Sequence, residues 1–553
     1  MRTMQREFPA VFLPEPHPSP SASATAFDRG APSRRSLLFG AAGLAATAAA
    51  LGGCAQEPMV DLGMLYSVAA MHHGIDRNPV IVIPGLLGSR LRDPASQRIV
   101  WGAFDGNAAD PTTMDGARLV ALPFTDMTTP GAGVTPDGVL DRIRIRVAGI
   151  PITLQAYAEI LSTLGVGGYR DEALGLAGQV DYGNDHFTCF QFAYDWRQDN
   201  VVNARNLMAF MKEKRAYVQA EYARRYGVRD ARVKFDIVAH SMGGLVARYA
   251  MLYGDSDLPA DGSLPKVNWD GAEYMGRLIQ VGTPNGGSLD GFRVLVDGRD
   301  FGTPIVPRYR PSILGTFPSL YQLMPRQGSG SVVLAGSPDV SLDLHDPAVW
   351  QRMGWGLAAP GIDVELATLM PGVPDAQDRR RFALALQARL LLRARAFAAA
   401  MDRPVSQPPG TELLLVAGDA IQTASRMAAD PENGRLTPWR TAAGDGTVLR
   451  DSVMLDLRQG RDDRGPFVDS PMGFRRALFL PREHLDITRD TTFRNNVLFW
   501  LLEEPRQTPP GVVPAGAPAV AHRSTAQPAV AKPSGVQPAG RRGYQGRTSS
   551  QVL

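Results

Sequence analysis

Cysteine is scarce in this sequence, since 553 residues contain only Cys54 and Cys189. Two cysteines cannot staple a small secreted scaffold or build a cysteine-rich zinc module, so both classes are excluded. An excess of one charge is also lacking, because 58 Lys and Arg side chains stand against 55 Asp and Glu. A net charge of +3 gives no electrostatic basis for nucleic-acid binding, and we expect no nucleic-acid partner.

The apolar stretch near the N-terminus is too short to cross a bilayer, which takes about 20 such residues. It follows the pair Arg34 and Arg35, and it leads through small residues into Leu-Gly-Gly and Cys54. Residues 1–53 are therefore predicted to be an export signal of the twin-arginine type. The end of this segment resembles a bacterial lipobox, so we expect Cys54 to carry lipid and to hold the protein at a membrane surface of the bacterial cell envelope. A plain cleaved signal is the alternative.

The opposite end of the chain differs from the body in charge and composition. Residues 505–553 carry six basic side chains and no acid, and they are rich in Pro, Ala, Gly, Ser and Gln. Such a segment buries too little apolar surface to offset its chain entropy, so a disordered basic tail is predicted.

Between the two ends, short apolar runs alternate with helical patterns, which predicts a doubly wound, mostly parallel α/β sheet. The expected strands are Val80–Ile83, Phe187–Tyr194, Val233–Ala239, Leu278–Val281, Leu413–Val416 and Ala477–Leu480. The expected helices are Lys214–Tyr226, Leu245–Tyr253 and Asn495–Glu504.

One long gap in this alternation, residues 286–410, is expected to be an inserted cap or lid. It contains one strong helix, about Ala376–Met401, with six arginines among Leu and Ala. That helix either covers a site or lies on lipid, or it packs normally with a basic outer face. The predicted organisation is a signal (1–53), a tether (54–76), the first part of the core (77–285), the insertion (286–410), the second part of the core (411–504) and the tail (505–553).

The segment Ala239–Gly243, with the sequence Ala-His-Ser-Met-Gly, stands where a predicted strand ends and a helix begins. This is the nucleophile-elbow pattern with Ala in place of the first Gly. A sharp turn there would expose the Ser241 hydroxyl, and the residues two positions away on either side must be small so that strand and helix can approach. The Met242 N–H at the start of the helix would then point toward a developing oxyanion.

A serine nucleophile needs a histidine base and an acid that orients the base, in the chain order Ser, acid, His. Of eight histidines, only His484 follows a late predicted strand, so it is the expected base, while His240 should point elsewhere. Two carboxylates compete for the role of the acid. Asp419 follows the predicted strand at 413–416, and Asp445 lies in a tight Gly-Asp-Gly-Thr-Val turn that would present it at a loop tip. We favour Asp445 and keep Asp419 as the alternative.

The segment Pro84–Ser89, Pro-Gly-Leu-Leu-Gly-Ser, follows the first predicted strand. Its glycines allow backbone amides to turn into a site, and the Leu87 N–H is the expected second oxyanion donor; a plain strand-to-loop turn is the alternative. Asp105, Asp110 and Asp115 lack the spacing of a calcium loop, so we expect no metal site, and no cofactor is expected either.

Taken in this order, the segments resemble the lecithin:cholesterol acyltransferase family, whose relatives include lysosomal phospholipase/transacylases and phospholipid:diacylglycerol acyltransferases. The resemblance spans about residues 78–500, with little beyond Phe317–Leu320 between 290 and 410. It is carried by Pro84–Gly88, Tyr194–Arg197, His240–Gly243, Gly282–Ser288, Gly444–Val448 and His484–Leu485.

This resemblance implies an α/β-hydrolase fold in which Ser241, Asp445 and His484 form the triad, with Leu87 and Met242 as the oxyanion donors. It also implies cleavage of an acyl ester and transfer of the acyl group to water or to a lipid alcohol. The expected partner is therefore a lipid or another acyl-ester substrate. An esterase of non-lipid esters and a non-catalytic envelope lipoprotein are the alternatives.

Three positions depart from the animal members of the family, namely Ala239, Leu86 and Asn285, and the animal disulfides are absent. These departures concern acyl-chain and acceptor preference more than the chemistry. Asp195 and Arg197 are expected either to pair structurally beside the site or to contact substrate directly. The oligomeric state does not follow from the sequence.

Overall fold

The computed structural model describes residues 60–104, 108–124, 133–140, 142–147, 150–155, 157–301, 306–326, 329–458 and 465–504. The predicted export signal, the expected lipidation site Cys54, Asp105 and the predicted basic tail lie outside these ranges. Residues 60–68 belong to a compact unit separate from the one that begins at Ala69. Their helix, Leu62–Leu65, is capped at its N-terminus by Asp61, whose carboxylate accepts the Met64 N–H.

A six-stranded sheet forms the centre of the larger unit. The strands of the described residues are β1 Val80–Ile83, β2 Ser89–Arg92, β3 Ile99–Trp101, β4 Ala103–Phe104, β5 Thr135–Val139, β6 Arg142–Val147, β7 Ile150–Gln155, β8 Cys189–Gln191, β9 Phe235–His240, β10 Met275–Val281, β11 Val332–Leu334, β12 Ser337–Ser341, β13 Glu412–Gly418, β14 Ile421–Ala429, β15 Leu436–Gly444 and β16 Arg476–Leu480. The central order is β16-β13-β10-β9-β1-β8, and every neighbouring pair in it is parallel. The predicted α/β fold class is confirmed.

Helices pack on both faces of this sheet, with Ala158–Val166 and Thr491–Leu502 on one face and Asn200–Tyr226 and Met242–Tyr253 on the other. The α-helices of the described residues from Ser67 onward are Ser67–Ala70, Met114–Val120, Ala158–Val166, Glu172–Leu176, Asn200–Tyr226, Met242–Tyr253, Leu289–Asp297, Pro311–Leu314, Pro318–Tyr321, Pro347–Met353, Asp363–Leu369, Ala376–Met401, Arg450–Val453 and Thr491–Leu502. Alternate side chains of the central strands enter two separate hydrophobic clusters, one on each face. Burial of both faces explains why these strands read as continuous apolar runs in the sequence.

Among the elements expected in the core, the strand Val80–Ile83 has the expected bounds, and the other strands and helices differ from theirs by at least one residue. Two of these differences have an identifiable cause. The strand expected at Phe187–Tyr194 is reduced to β8, because β8 lies at the edge of the six-stranded sheet, where its neighbour is the short β1. The helix expected at Lys214–Tyr226 begins at Asn200, because the Asp199 carboxylate caps its N-terminus by accepting the Val201 N–H. It ends as expected before Gly227, whose φ of 70° terminates the helix.

The arginine-rich helix of the insertion, Ala376–Met401, forms over the expected residues and packs against the rest of the protein. Arg379 pairs with Asp363, and Arg393 bridges Asp199 and Asp257. Arg380 and Arg389 donate to backbone carbonyls of neighbouring segments. These side chains therefore tie the helix to its surroundings, in agreement with an ordinary packed helix.

A second sheet has the order β12-β11-β14-β15 and joins strands from before and after residue 410. Strands β14 and β15 form an antiparallel hairpin in which Ile421 lies opposite Gly444. Because Ile421 follows shortly after β13, this hairpin leaves the central sheet and returns to nearly the same point. The chain therefore arrives at residue 445 beside the carboxyl end of β13.

Candidate active site

Ser241 lies in a sharp turn between a buried strand and a buried helix. Every residue of β9 and of the helix Met242–Tyr253 is buried. Ser241 has φ 53° and ψ −127°, a backbone conformation that costs a non-glycine residue on the order of 1–3 kcal/mol. Its own N–H donates to the carbonyl of Val281 at 2.8 Å. The strained turn that the nucleophile-elbow pattern predicts is present.

The expected need for small residues around the turn has a direct physical cause at Gly243. A Cβ at this position would lie 2.3 Å from the carbonyl oxygen of Pro84, which is too close for any side chain. A Cβ on Gly85 would in turn lie 2.7 Å from the Ser241 Cβ. The Pro84–Gly88 turn therefore packs directly against the serine, and the two segments fit only because both glycines lack side chains.

His484 connects Ser241 to Asp445 through hydrogen bonds. Its Nε2 lies 2.9 Å from Ser241 Oγ, and its Nδ1 lies 2.7 Å from Asp445 Oδ2. The backbone N–H of His484 also donates to the Asp445 carbonyl at 3.0 Å. The structure thus brings together the three side chains that the sequence singled out, although Ser241 precedes the other two by more than 200 residues along the chain.

Asp445 rather than Asp419 provides the carboxylate beside the imidazole. Asp419, the alternative acid, directly follows β13. The two imidazole nitrogens of His484, however, are bonded to Ser241 and Asp445. The β14–β15 hairpin accounts for this, because it returns the chain to the end of β13 before Asp445 is reached.

The Asp445 carboxylate is buried and held ionised. Its Oδ1 accepts the N–H groups of Thr447 and Val448 at 3.0 and 2.6 Å, so the tight turn fixes the carboxylate and leaves Oδ2 for His484. Burial alone would raise the pKa of Asp445, but the His484 imidazole and these N–H donors outweigh it and lower that pKa below its ordinary value. A buried carboxylate that stays ionised can orient an imidazole and stabilise its protonated form.

Gly282 leaves room for the acid and the base. Its φ is 58°, and a Cβ there would lie 3.1 Å from His484 Cε1 and 3.3 Å from Asp445 Oδ2. The segment after it is fixed by Asn285, whose side-chain amide donates to Gln280 and to the carbonyl of Val453. The Gly-Thr-Pro-Asn motif therefore forms the wall against which the acid and the base pack.

The Pro84–Gly88 turn provides free backbone donors beside the serine. The Gly88 N–H closes the turn on the Gly85 carbonyl at 3.0 Å, and Leu87 adopts φ 64°. Trp101 holds this conformation by donating its indole N–H to the Leu87 carbonyl at 2.7 Å. Within the described residues, the N–H groups of Leu86 and Leu87 have no hydrogen-bond acceptor, and the Met242 N–H opens a helix and so lacks an intrahelical one. Leu87 and Met242 remain the predicted oxyanion donors.

His240 points away from the serine hydroxyl, as expected. Its Nε2 lies 3.0 Å from the His484 carbonyl oxygen, and its Nδ1 lies 3.0 Å from Tyr157 Oη. The Tyr157 oxygen also accepts the Gly85 N–H at 2.8 Å. Burial, with a smaller effect from His484, lowers the pKa of His240 to about 3, so this ring is neutral.

The Tyr194–Arg197 motif supports the turn beside the site and is itself internally paired. Arg197 forms a two-pronged ion pair with Asp195 and donates to the carbonyls of Leu119 and Val120. Tyr194 Oη donates to the Pro84 carbonyl at 2.9 Å. The pairing of Asp195 with Arg197 matches the structural alternative considered for this motif.

Some residues of the site carry no recognisable pattern in the sequence. Tyr157 stands in a weakly patterned stretch, and nothing in its local sequence indicates a contact with Gly85 or His240. Thr423, which accepts the Gly446 N–H at 2.8 Å, lies in a hairpin that was not expected at all. Only the pairing of distant segments in the fold reveals these contacts.

The described residues hold no group of three or more His, Cys, Asp or Glu side chains placed to bind a metal ion. In the same part of the chain, no helix is both long and apolar enough to cross a membrane. Cys189 lies buried in β8 as a free thiol, and burial raises its pKa well above the ordinary value, so it is an inert core residue.

Comparison with known proteins supports the resemblance drawn from the motifs. Residues 143–353 match the model of the family described as lecithin:cholesterol acyltransferase. The match includes Ser241 and extends into the insertion as far as residue 353, beyond the Phe317–Leu320 motif. The expected likeness to this family of α/β-hydrolases is confirmed over these residues, and it supports a hydrolase or acyltransferase of acyl esters. No match is found among curated proteins.

Several solved structures are similar to this chain at low identity. The structure of a Tle4–Tli4 complex is 17% identical, with a TM-score of 0.44, and the match covers 77% of this chain and 98% of that one. Lipase 1 from Pelosinus fermentans is 12% identical, with a TM-score of 0.31 and coverages of 78% and 99%. The mature Bacillus licheniformis lipase BlEst2 is 12% identical, with a TM-score of 0.27 and coverages of 78% and 94%.

Proposed function

We propose that this chain is a serine-dependent enzyme of lipid metabolism that cleaves an acyl ester through an acyl-enzyme on Ser241. The acyl group then passes to an alcohol or to water. The observation that carries the proposal is the continuous hydrogen-bonded series from Ser241 Oγ through the His484 imidazole to the Asp445 carboxylate. The family match over residues 143–353 supports lipid esters as the substrate class.

The hydrogen bonds assign a proton position to each imidazole nitrogen. The ionised Asp445 can only accept, so His484 Nδ1 carries the proton between them and the Nε2 lone pair faces the Ser241 hydroxyl. When Oγ bonds to the ester carbonyl carbon, Nε2 takes the hydroxyl proton and the carbonyl electron pair moves to its oxygen. The N–H groups of Met242 and Leu87 would stabilise this oxyanion.

Collapse of the tetrahedral intermediate breaks the bond to the leaving alcohol, which takes the proton from Nε2. An acceptor hydroxyl, from water or from a lipid alcohol, then gives its proton to Nε2 as its oxygen bonds to the acyl carbon. The second collapse breaks the bond to Ser241 Oγ and returns that proton to it. Hydrolysis and acyl transfer therefore use the same residues and differ only in the acceptor.

Labelling with an alkyl fluorophosphonate tests the nucleophile. We expect the wild-type protein to be labelled and to hydrolyse short p-nitrophenyl esters, and the variant Ser241→Ala to do neither. The variant Ser263→Ala, which alters an exposed serine, serves as the control and should match the wild type. Equal labelling of Ser241→Ala and the wild type would reject the proposed nucleophile, and an inert wild type would favour a non-catalytic binding protein.

Product analysis separates the remaining possibilities. With labelled phospholipid vesicles, a lipid-directed enzyme should release fatty acid or form a new ester when an alcohol such as a sterol or diacylglycerol is added. An esterase of non-lipid substrates would cleave p-nitrophenyl esters but leave the vesicles intact, and it would gain no rate when monomeric substrate is replaced by micelles.

We also propose that the protein is exported and anchored through lipid on Cys54. The basis is the sequence pattern of residues 1–54 alone. Expression in a bacterial host with a labelled fatty acid should give a lipid-bearing envelope protein, and Cys54→Ser should remove the label. Unlabelled wild-type protein would leave the plain cleaved signal as the explanation.

A further inference from the structure

A buried hydrogen-bonded series joins the turn beside Ser241 to the segment that carries the base. It begins at the Gly85 N–H, which donates to Tyr157 Oη at 2.8 Å. It continues from Tyr157 Oη to His240 Nδ1 at 3.0 Å, and from His240 Nε2 to the His484 carbonyl at 3.0 Å. Tyr157 and His240 are both buried, so water does not compete for these bonds.

The direction of each bond follows from the chemistry of its partners. A carbonyl oxygen can only accept, so His240 Nε2 must carry a proton and donate it to His484. A neutral imidazole with a proton on Nε2 accepts at Nδ1, so the Tyr157 hydroxyl donates there and accepts from Gly85. Burial raises the pKa of the Tyr157 hydroxyl above its ordinary value, which keeps this proton in place. Only this placement of the protons gives each donor of the series an acceptor.

The two histidines of the site are thereby given different roles. Their ring centroids are 4.8 Å apart, so two positive imidazoles would repel each other strongly. Both nitrogens of His240 are engaged in hydrogen bonds, whereas His484 Nε2 faces the reacting hydroxyl. His240 therefore stays neutral while His484 gains a proton.

From this geometry we infer that Tyr157 and His240 are positioning residues, which hold the Pro84–Gly88 turn and the His484 backbone in a fixed mutual arrangement. Neither touches the reacting atoms. A shift of one end of the series would move the oxyanion donors relative to the imidazole, and a displacement of about 1 Å in an active site costs about 100-fold in rate. This inference rests on the proposed triad mechanism.

The variant Tyr157→Phe tests the series because it removes one oxygen and both of its bonds. We expect kcat to fall about 10- to 100-fold with KM within about two-fold of wild type, and the rate of fluorophosphonate labelling to fall in parallel. Tyr321→Phe is the matched control, since the buried Tyr321 hydroxyl donates to the Gly315 carbonyl and has no contact with the series. It should lower Tm comparably and leave kcat unchanged.

Substitution at His240 provides a second, independent measurement. The variant His240→Gln keeps an N–H that can donate to the His484 carbonyl and an oxygen that can accept from Tyr157, whereas His240→Leu keeps neither. We expect His240→Gln to retain several-fold more of kcat than His240→Leu, with both assayed well below their Tm.

The outcomes separate this inference from the proposed function. If Ser241→Ala is inactive while Tyr157→Phe and His240→Leu keep the wild-type kcat and only lose Tm, the two residues are structural and the inference is wrong. If Ser241→Ala itself remains active, the proposed function fails first. A selective loss of kcat in Tyr157→Phe, absent from Tyr321→Phe, supports the positioning role.

Discussion

Ser241 lies between two fully buried elements, whereas Asp445 and His484 follow elements that are partly exposed. All side chains of β9 and of the helix Met242–Tyr253 are buried. In contrast, the side chains of β15 are exposed from residue 437 to residue 443, and Leu485, next to His484, is 57% exposed. The hydrophobic core therefore holds the nucleophile in place, whereas it does not account for the positions of the acid and the base.

Hydrogen bonds and close backbone contacts hold the acid and the base. The turn of Asp445 is fixed by Thr447, Val448 and Thr423, and the backbone of His484 is bonded to Asp445 and His240. This difference determines which property a substitution should change. Core changes near Ser241 should cost stability first, whereas small polar or steric changes near Asp445 and His484 should cost kcat first.

The largest effect is expected from Asp445→Asn. The amide cannot accept the Nδ1 proton as a carboxylate does, and the imidazole adopts the wrong tautomer; such a change in a catalytic triad lowers kcat by about 10⁴-fold. Asp419→Asn is the matched control, because its carboxylate is not bonded to His484. Steady-state kinetics of both variants on a p-nitrophenyl ester measure the contrast. A severe loss of kcat in Asp419→Asn, with Asp445→Asn still active, would show that Asp419 rather than Asp445 is the acid of the triad.

A smaller loss of activity is expected from Gly282→Ala. The new Cβ would press on His484 Cε1 at 3.1 Å, and the φ of 58° would strain any side chain, so kcat should fall by about 10- to 100-fold. Gly227→Ala is the control, since its φ of 70° imposes similar strain while no atom lies within 4 Å of the added Cβ. It should lower Tm and leave kcat unchanged. Equal kcat values for the two variants would show that His484 tolerates the displacement.

The same contrast explains how much of the site could be predicted from the sequence. Ser241 follows from a five-residue pattern because strand, turn and helix are contiguous, and local sequence specifies all three. His484 follows from its place after a late strand. The choice of Asp445 over Asp419 depends on the β14–β15 hairpin, which returns the chain to the end of β13, and neither the hairpin nor the partner Tyr157 has a local signature.

On the nucleophile side, Leu252→Ala should affect stability rather than chemistry. Leu252 is fully buried near the end of the helix that begins at Met242, so its truncation leaves a cavity and lowers the free energy of unfolding by about 2–5 kcal/mol. We expect kcat to stay within about three-fold of wild type at a temperature well below Tm. Urea unfolding and kinetics on the same preparation provide the two numbers. A large loss of kcat with unchanged stability would contradict the core-held nucleophile.

The smallest expected effect is on the pH dependence of stability, to which His240, on the nucleophile side, and Asp445, on the side of the acid and the base, contribute in different pH ranges. Burial lowers the pKa of His240 to about 3, against an ordinary value of 6.5, so the unfolded chain binds this proton between those two values and the folded chain does not. Its contribution to stability is complete above about pH 6.5 and is lost as the pH falls, by about 2 kcal/mol at pH 5. Asp445 acts at lower pH, because its lowered pKa stabilises the folded state at pH values above the ordinary carboxyl pKa. That contribution is lost only as the pH falls below this ordinary value.

Urea unfolding at pH 7 and pH 5 should therefore give a lower midpoint at pH 5, and His240→Gln should reduce this difference. His345, in the insertion, has its pKa lowered to about 4 by burial and then by Arg326, so His345→Gln should reduce the difference too without changing kcat. A wild-type midpoint that is equal at both pH values would contradict a neutral, buried His240.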